Sequence, residues 1–286
     1  MTIKHILLPT TGVKSSGTAL ATSLLLARLF GAHAEVLFIK EDLLTVLPVA
    51  AEGLAGSVVD EMAANLQREQ NAQAKLTRQA FDDLLALHRI DYRENSLPMD
   101  QASAKWTVAD GSARQEIIRC GAAHDLIVVG RPADDVKSAP LVEAALFGTG
   151  RPVFVSPPEG PETLGENVLI GWNRSPLSAR AMLSAMSFLE RARKVTIVTV
   201  TTGAKPGPSP HDMARHLARH SIDASVKEIA PDYRSVGEVL LAEAEEVGSD
   251  LLVMGAYSQG RLRELLMGGV TRHVLANAEV PVLMAH

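Results

Sequence analysis

The chain has 286 residues, of which 47% are apolar, 21% charged and 4% aromatic, with a formal net charge of -5 and a single cysteine. That length suits one large or two ordinary domains, and the balance is that of a globular chain with an aliphatic core. The negative charge argues against a nucleic-acid partner held by bulk electrostatics, Cys120 alone excludes an internal disulfide, and no apolar run approaches the ~20 residues of a membrane span. A cytoplasmic protein without membrane contact is the expectation.

The first predicted strand is 4–9, in "KHILLPTTG". A helix follows with Leu20, Leu24 and Ala27 on one face and a stop at Gly31. Further strands are expected at 35–39, 104–108, 125–130 and 152–156. A long helical segment at about 57–87 intervenes, with Met62, Leu66, Leu76, Ala80 and Leu84 on a patchy apolar face. It reads as a lid or packing helix.

The stretch "SPPEGPETLGE" is rich in proline and glycine and has no apolar period, which makes 158–166 a linker. Beyond it, strands are expected at 168–172, 194–200, 226–230, 250–255 and 281–285. Ser175 is a candidate N-cap with Pro176 at the first helical position, followed by an apolar stripe of Ala179, Met182, Met186 and Leu189. Val236, Leu240, Ala244 and Val247 form a second stripe.

The two halves repeat one another. "KHILLPTTG" matches "ENVLIGWNR", "HDLIVVGRP" matches "SDLLVMGAY", and "RPVFVSP" matches "VPVLMAH", in the same order. The domains are therefore 1–157 and 167–286. Short Val-, Ile- and Leu-rich strands without alternation read as covered on both faces. The fold class is α/β: two tandem doubly wound parallel five-stranded sheets of Rossmann-like form. The closing strands "RPVFVSP" and "VPVLMAH" are expected to cover each other's edges.

Ligands of such sheets sit beyond the carboxyl ends of the strands, where strand order reverses. There the second half carries "VMGAYSQGRLRELLMGGVTRHVL" (253–275), a strand, a Gly- and Arg-bearing loop and a new helix. With the five-strand repeat and the closing "VPVLM", this segment resembles the universal stress protein family, and two copies in one chain resemble its tandem branch. Nucleotide-binding members carry Gly, two residues, Gly, nine residues, Gly and then Ser or Thr, with an Asp ending the first strand. Here Gly255 and Gly268 match, Ser258 replaces the second glycine, Gly269 replaces the hydroxyl residue with Thr271 two positions on, and Asn173 replaces the Asp.

The resemblance implies a stress-response regulator. It also implies a site for ATP or another adenine nucleotide formed by Asn173, Gly255, Ser258, Gly268, Gly269, Val270 and Thr271, with no metal beyond the magnesium that accompanies a nucleotide. In the first half Gly130 and Gly148 remain, but Pro132, Asp134 and Asp135 fill the loop and Thr11 replaces the Asp, so that half is expected to bind none. It would serve as the other half of an internal pseudo-dimer, and two chains could pair further as a homodimer. No catalytic residue is assigned, which leaves at most weak ATP hydrolysis. The alternative is a ligand-free interaction module with both sites degenerate. His211, His216 and His220 read as a solvated helix face rather than a metal site, and His5 and His286 as exposed strand ends.

Overall fold

The computed structural model describes residues 2–41, 56–94, 101–131, 139–161, 163–203, 206–256 and 269–286, without the side chains of 13–16, 56 and 139. The chain divides into two compact units, Ile3–Arg151 and Pro152–His286. No helix among the described residues is long and apolar enough to cross a membrane.

In Ile3–Arg151 the elements run β1 (His5–Thr10), α1 (Val13–Phe30), β2 (His33–Lys40), α2 (Gly56–His88), β3 (Asp91–Tyr92), β4 (Ser103–Asp110), α3 (Ala113–Gly121), β5 (Leu126–Gly130) and α4 (Ala139–Gly148). The strands pair in the order β3-β4-β2-β1-β5, every pairing parallel. Ile6, Leu7 and Leu8 of β1 are fully buried, so adjacent residues pointing to opposite faces are both covered. Each such side chain contributes about 1.5–3 kcal/mol. Helix α1 stops at Gly31, whose left-handed backbone (φ 57°, ψ 50°) turns its N–H back to the Ala27 carbonyl.

The apolar face of α2 differs from the expected one. Thr77, Phe81 and Leu85 are buried, whereas Leu76 is 59% exposed. Phe81 is the anchor: its ring centre lies 5.9 Å from that of Trp106 on β4. The Arg78 guanidinium lies over Phe81, Tyr92 and Trp106 at 5.5, 5.0 and 5.9 Å. Further towards its N-terminus, α2 meets the carboxyl ends of two strands. The Gln70 amide donates to the Glu41 carbonyl just past β2 at 2.7 Å. Gln73 Oε1 lies 3.0 Å from where a Cβ on Gly12, just past β1, would stand.

In Pro152–His286 the elements are β6 (Val153–Ser156), β7 (Asn167–Gly171), α5 (Pro176–Ser184), α6 (Met186–Leu189), β8 (Lys194–Val200), α7 (Pro210–Ala218), β9 (Ala224–Ile229), α8 (Val236–Glu246), β10 (Leu251–Gly255), α9 (Gly269–Asn277) and β11 (Val282–Ala285). The order is β6-β11-β10-β7-β8-β9. All its pairs are parallel except β6 with β11, which run antiparallel with Val282 opposite Val155 and Met284 opposite Val153. The repeat assigns β6 to the first half, yet compactness counts it with the second unit.

The matching "HDL" and "SDL" of the repeat acquire a shared physical role. The Asp250 carboxylate accepts the backbone N–H groups of Glu166 and Asn167 at 3.0 and 2.8 Å, clamping the start of β7. Asp125 does the same for Lys4 and His5 at the start of β1, at 2.8 and 3.0 Å. The helix expected after Ser175 breaks at Ala185 into α5 and α6, with Met186 and Leu189 still buried on the second piece.

Candidate functional site

In Pro152–His286 the chain leaves β7 for β8 and β9 and returns to β10 on the opposite side of β7. Strand order therefore reverses between β7 and β10, and the crevice of interest lies past their carboxyl ends. Residues 172–175 bound it on one flank and Gly255–Ala256 on the other.

The β7 flank is tied down closely. Trp172 is 2% exposed and donates its indole N–H to the Pro208 carbonyl at 3.0 Å. Its backbone N–H donates to Val198 and its carbonyl accepts from the Thr199 hydroxyl, at 2.8 and 3.0 Å. Arg174 takes a left-handed backbone (φ 65°). Gly207 comes so close that a Cβ on it would stand 2.6 Å from the Arg174 carbonyl oxygen. The segment 206–209 is thereby packed onto the end of β7. Asn173 Oδ1 accepts the Ser175 N–H at 3.1 Å, and Ser175 Oγ accepts the Ser178 N–H at 3.2 Å as N-cap of α5. The Asn173 oxygen thus serves the loop.

On the β10 flank, Gly255 is a packing glycine. A Cβ there would lie 2.6 Å from the Ser178 nitrogen and 2.7 Å from the Leu177 carbonyl carbon, inside the first turn of α5. Ala256 continues the edge, donating its N–H to Ala285 at 2.9 Å and accepting from the ring of His286 at 3.1 Å. His286 is half-buried rather than exposed, and its carbonyl also accepts from Arg180.

Helix α9 carries the remaining motif residues. Gly269, the first of them among the described residues, is exposed, and a Cβ built on it would meet nothing within 4 Å among those residues. Val270 is half-buried, and Thr271 is 3% exposed. Ser258 and Gly268 lie outside the described residues.

Asp212, at the start of α7, is held below the usual carboxylate range by the Ser209 hydroxyl and N–H, which close a capping box. Arg215 pairs with it. Of the exposed histidines, His216 and His220 face each other at 5.1 Å between ring centres, and His211 lies 4.0 Å from Glu228.

In Ile3–Arg151, Pro132, Asp134 and Asp135 lie outside the described residues. Gly148 does not stand where the third motif glycine would. It is the last residue of α4, not the opening of a helix, and a Cβ on it would lie 2.4 Å from Ile118 Cγ1 of α3. Close approach of two helices explains that glycine.

Three comparisons bear on this arrangement. Residues 165–286 match the universal stress protein family. Universal stress protein Slr1230 of Synechocystis is 24% identical over 298 residues, covering 98% of this chain and 99% of its own length. Among solved structures, a universal stress protein from Archaeoglobus fulgidus has a TM-score of 0.67 at 17% identity, over 98% of this chain and 97% of that one. A functionally unknown protein from Pseudomonas aeruginosa has a TM-score of 0.56 at 14% identity, over 99% and 92%. At such identities the structures establish the shared fold.

Proposed function

We propose that this chain, which belongs to the universal stress protein family, is a cytoplasmic stress-response regulator that takes an adenine nucleotide in the crevice of Pro152–His286. The start of α9 carries the reading. A helix leaves its first N–H groups without intrahelical partners, and its dipole favours phosphate there. Gly269 brings no side chain there, and a Cβ on it would meet nothing within 4 Å among the described residues.

Phosphates would rest on the N–H groups of Gly269, Val270 and Thr271, completed by Ser258 and Gly268. The Asn173 amide would meet the adenosine part, and magnesium would arrive with the nucleotide. Gly255 contributes by letting the end of β10 sit against α5. An amide in place of a carboxylate gives up a charge-assisted bond, about twice as strong as a neutral one, so binding is modest. No side chain is assigned to catalysis, and any ATP hydrolysis is slow. Ile3–Arg151 has α2 against the ends of β1 and β2 and serves as the nucleotide-free partner of an internal pseudo-dimer. Two chains associate further as a homodimer.

The test is isothermal titration of the whole chain with ATP, ADP and AMP in the presence of Mg²⁺. One equivalent should bind, and Gly269→Asp should weaken it at least about tenfold by placing a carboxylate beside the phosphates. An acid at a helix N-terminus favours the helix, so the variant keeps its fold. Absence of binding by the folded wild-type chain overturns the reading in favour of a ligand-free interaction module.

A further inference from the structure

The amino ends of the strands in Ile3–Arg151, opposite the crevice end, hold a buried cluster of imidazoles around one carboxylate. His5 opens β1, Glu35 is the third residue of β2, and His124 lies just before β5. His124 is 3% exposed and Glu35 8%. The His5 and His124 rings stack with centres 3.8 Å apart.

The ring nitrogens are arranged with direction. His124 Nδ1 lies 2.9 Å from the Cys120 carbonyl and His5 Nδ1 3.3 Å from the Ala123 carbonyl. A carbonyl only accepts, so each Nδ1 carries the proton, and the Nε2 of each neutral ring is a bare lone pair. Both Nε2 atoms are buried and have no hydrogen-bond partner among the described residues. They face Glu35 Oε2, at 3.4 Å from His124 and 4.0 Å from His5. All three ligand atoms lie within 4.8 Å of one another.

We propose that His5 Nε2, His124 Nε2 and Glu35 Oε2 form a binding site for a divalent transition-metal cation of the zinc type, with its remaining position open to water. Two imidazoles and a carboxylate are a ligand set zinc accepts. Backbone carbonyls on both Nδ1–H groups are the outer-shell partners that fix tautomer and ring plane in such sites. Metal–ligand bonds of about 2.0–2.2 Å require the three atoms to draw together by roughly 1 Å. His5, the most exposed of the three at 30% of its side chain, has the freedom to move.

Lys105 is the rival. Its ammonium lies 2.8 Å from Glu35 Oε2, with 26% of the side chain exposed. Metal entry releases Nζ to solvent along its apolar stem. Thr107 donates to Glu35 Oε1 at 3.0 Å and remains in place as the carboxylate's second anchor. His33, whose Nδ1 lies 2.9 Å from Ser103 Oγ, stands outside the ligand set.

The test uses the whole chain, stripped with chelator, in a His216→Gln/His220→Gln background that removes the exposed i,i+4 histidine pair. Zn²⁺ is titrated by calorimetry, and Co²⁺ by its visible d–d absorption. One equivalent should bind, raising the melting temperature. His124→Gln should weaken binding at least about tenfold and abolish the cobalt spectrum. Lys105→Gln should tighten it by removing the competing cation. Absence of binding in this background, or equal affinity in His124→Gln, overturns the proposal. Should His124→Gln fail to fold, Lys105→Gln decides: tighter binding supports the site, and unchanged or weaker binding overturns it.

Discussion

A methyl group on Gly255 would stand 2.6 Å from the backbone nitrogen of Ser178, closer than real Cβ contacts come. The neighbour is main chain at the start of a helix, which no rotamer change moves. Gly255→Ala should therefore destabilise Pro152–His286 by about 1–3 kcal/mol through overpacking. Urea unfolding by circular dichroism measures this. A variant as stable as wild type removes the packing explanation for this glycine.

The same reasoning ranks two glycines of Ile3–Arg151. A Cβ on Gly121 would meet Thr149 Cγ2 at 2.5 Å and Ile127 Cδ1 at 3.0 Å, both buried side chains. One on Gly148 would meet Ile118 Cγ1 at 2.4 Å, but Ile118 is 36% exposed and has room to turn. Gly121→Ala should cost about 1–3 kcal/mol, and Gly148→Ala less than about 1 kcal/mol. Reversal of that order in chemical denaturation would contradict the assigned contacts.

Trp172 and Trp106 are the chain's two tryptophans. In a Trp106→Phe background the emission of Trp172, which is 2% exposed, should lie to the blue. Gly207→Ala forces a Cβ against the Arg174 carbonyl from a backbone at φ 120°, and should loosen segment 206–209 from the indole. Its emission should shift to the red. Identical spectra would mean that this segment does not cover Trp172.

The histidine–carboxylate cluster makes stability depend on pH in metal-stripped protein. Burial, then the neighbouring His5 and Lys105, push His33 from 6.5 down to about 4. The unfolded chain takes up that proton first, so stability present above about pH 6.5 is lost as pH falls to 4. Burial raises the Glu35 carboxyl, but the hydrogen bonds and charge of its neighbours, Lys105 and Thr107 among them, outweigh it and bring it from 4.5 to about 2. Its contribution is lost between those values as pH falls further. The His33 step amounts to up to about 3 kcal/mol. His33→Gln should flatten the upper part of a stability–pH profile, and Glu35→Gln the lower part. A wild-type profile flat from neutral pH to 4 would count against both shifts.

Much of the local structure was legible in residue order. Continuous apolar runs such as Ile6–Leu8 marked strands covered on both faces, and Ser175–Pro176 marked the opening of α5, because a capping hydroxyl and a preset φ act within one turn. Boundaries of the longer strands fall within two residues of expectation. The two-residue β3 escaped because Asp91–Tyr92 carries no apolar run, and pairing with β4 alone defines it. The face of α2 was misplaced by one residue. Leu76 looks more apolar than Thr77, but Phe81 meeting Trp106 sets the helix rotation.

The candidate crevice was half legible. The glycines at 255 and 269 stood out in sequence with one apparent purpose. Three dimensions separate them, since a Cβ on Gly255 would meet the main chain of α5 while one on Gly269 would meet nothing within 4 Å among the described residues. Likewise His5 and His286 look like exposed strand ends, whereas one lies stacked in a cluster and the other donates its ring N–H to the Ala256 carbonyl.

Sequence by itself determined the duplication and the α/β alternation, because periodicity, capping and turn chemistry are short-range and repeat wherever the residues repeat. Beyond the expected pairing of β6 with β11, tertiary structure alone decided which β-strands adjoin, which glycines are there for packing, and that His5, Glu35 and His124 converge. Those depend on strand register, which places His5 opposite His33 and Leu7 opposite Glu35. Contacts between residues as far apart as 5 and 124 leave no period in the chain to read.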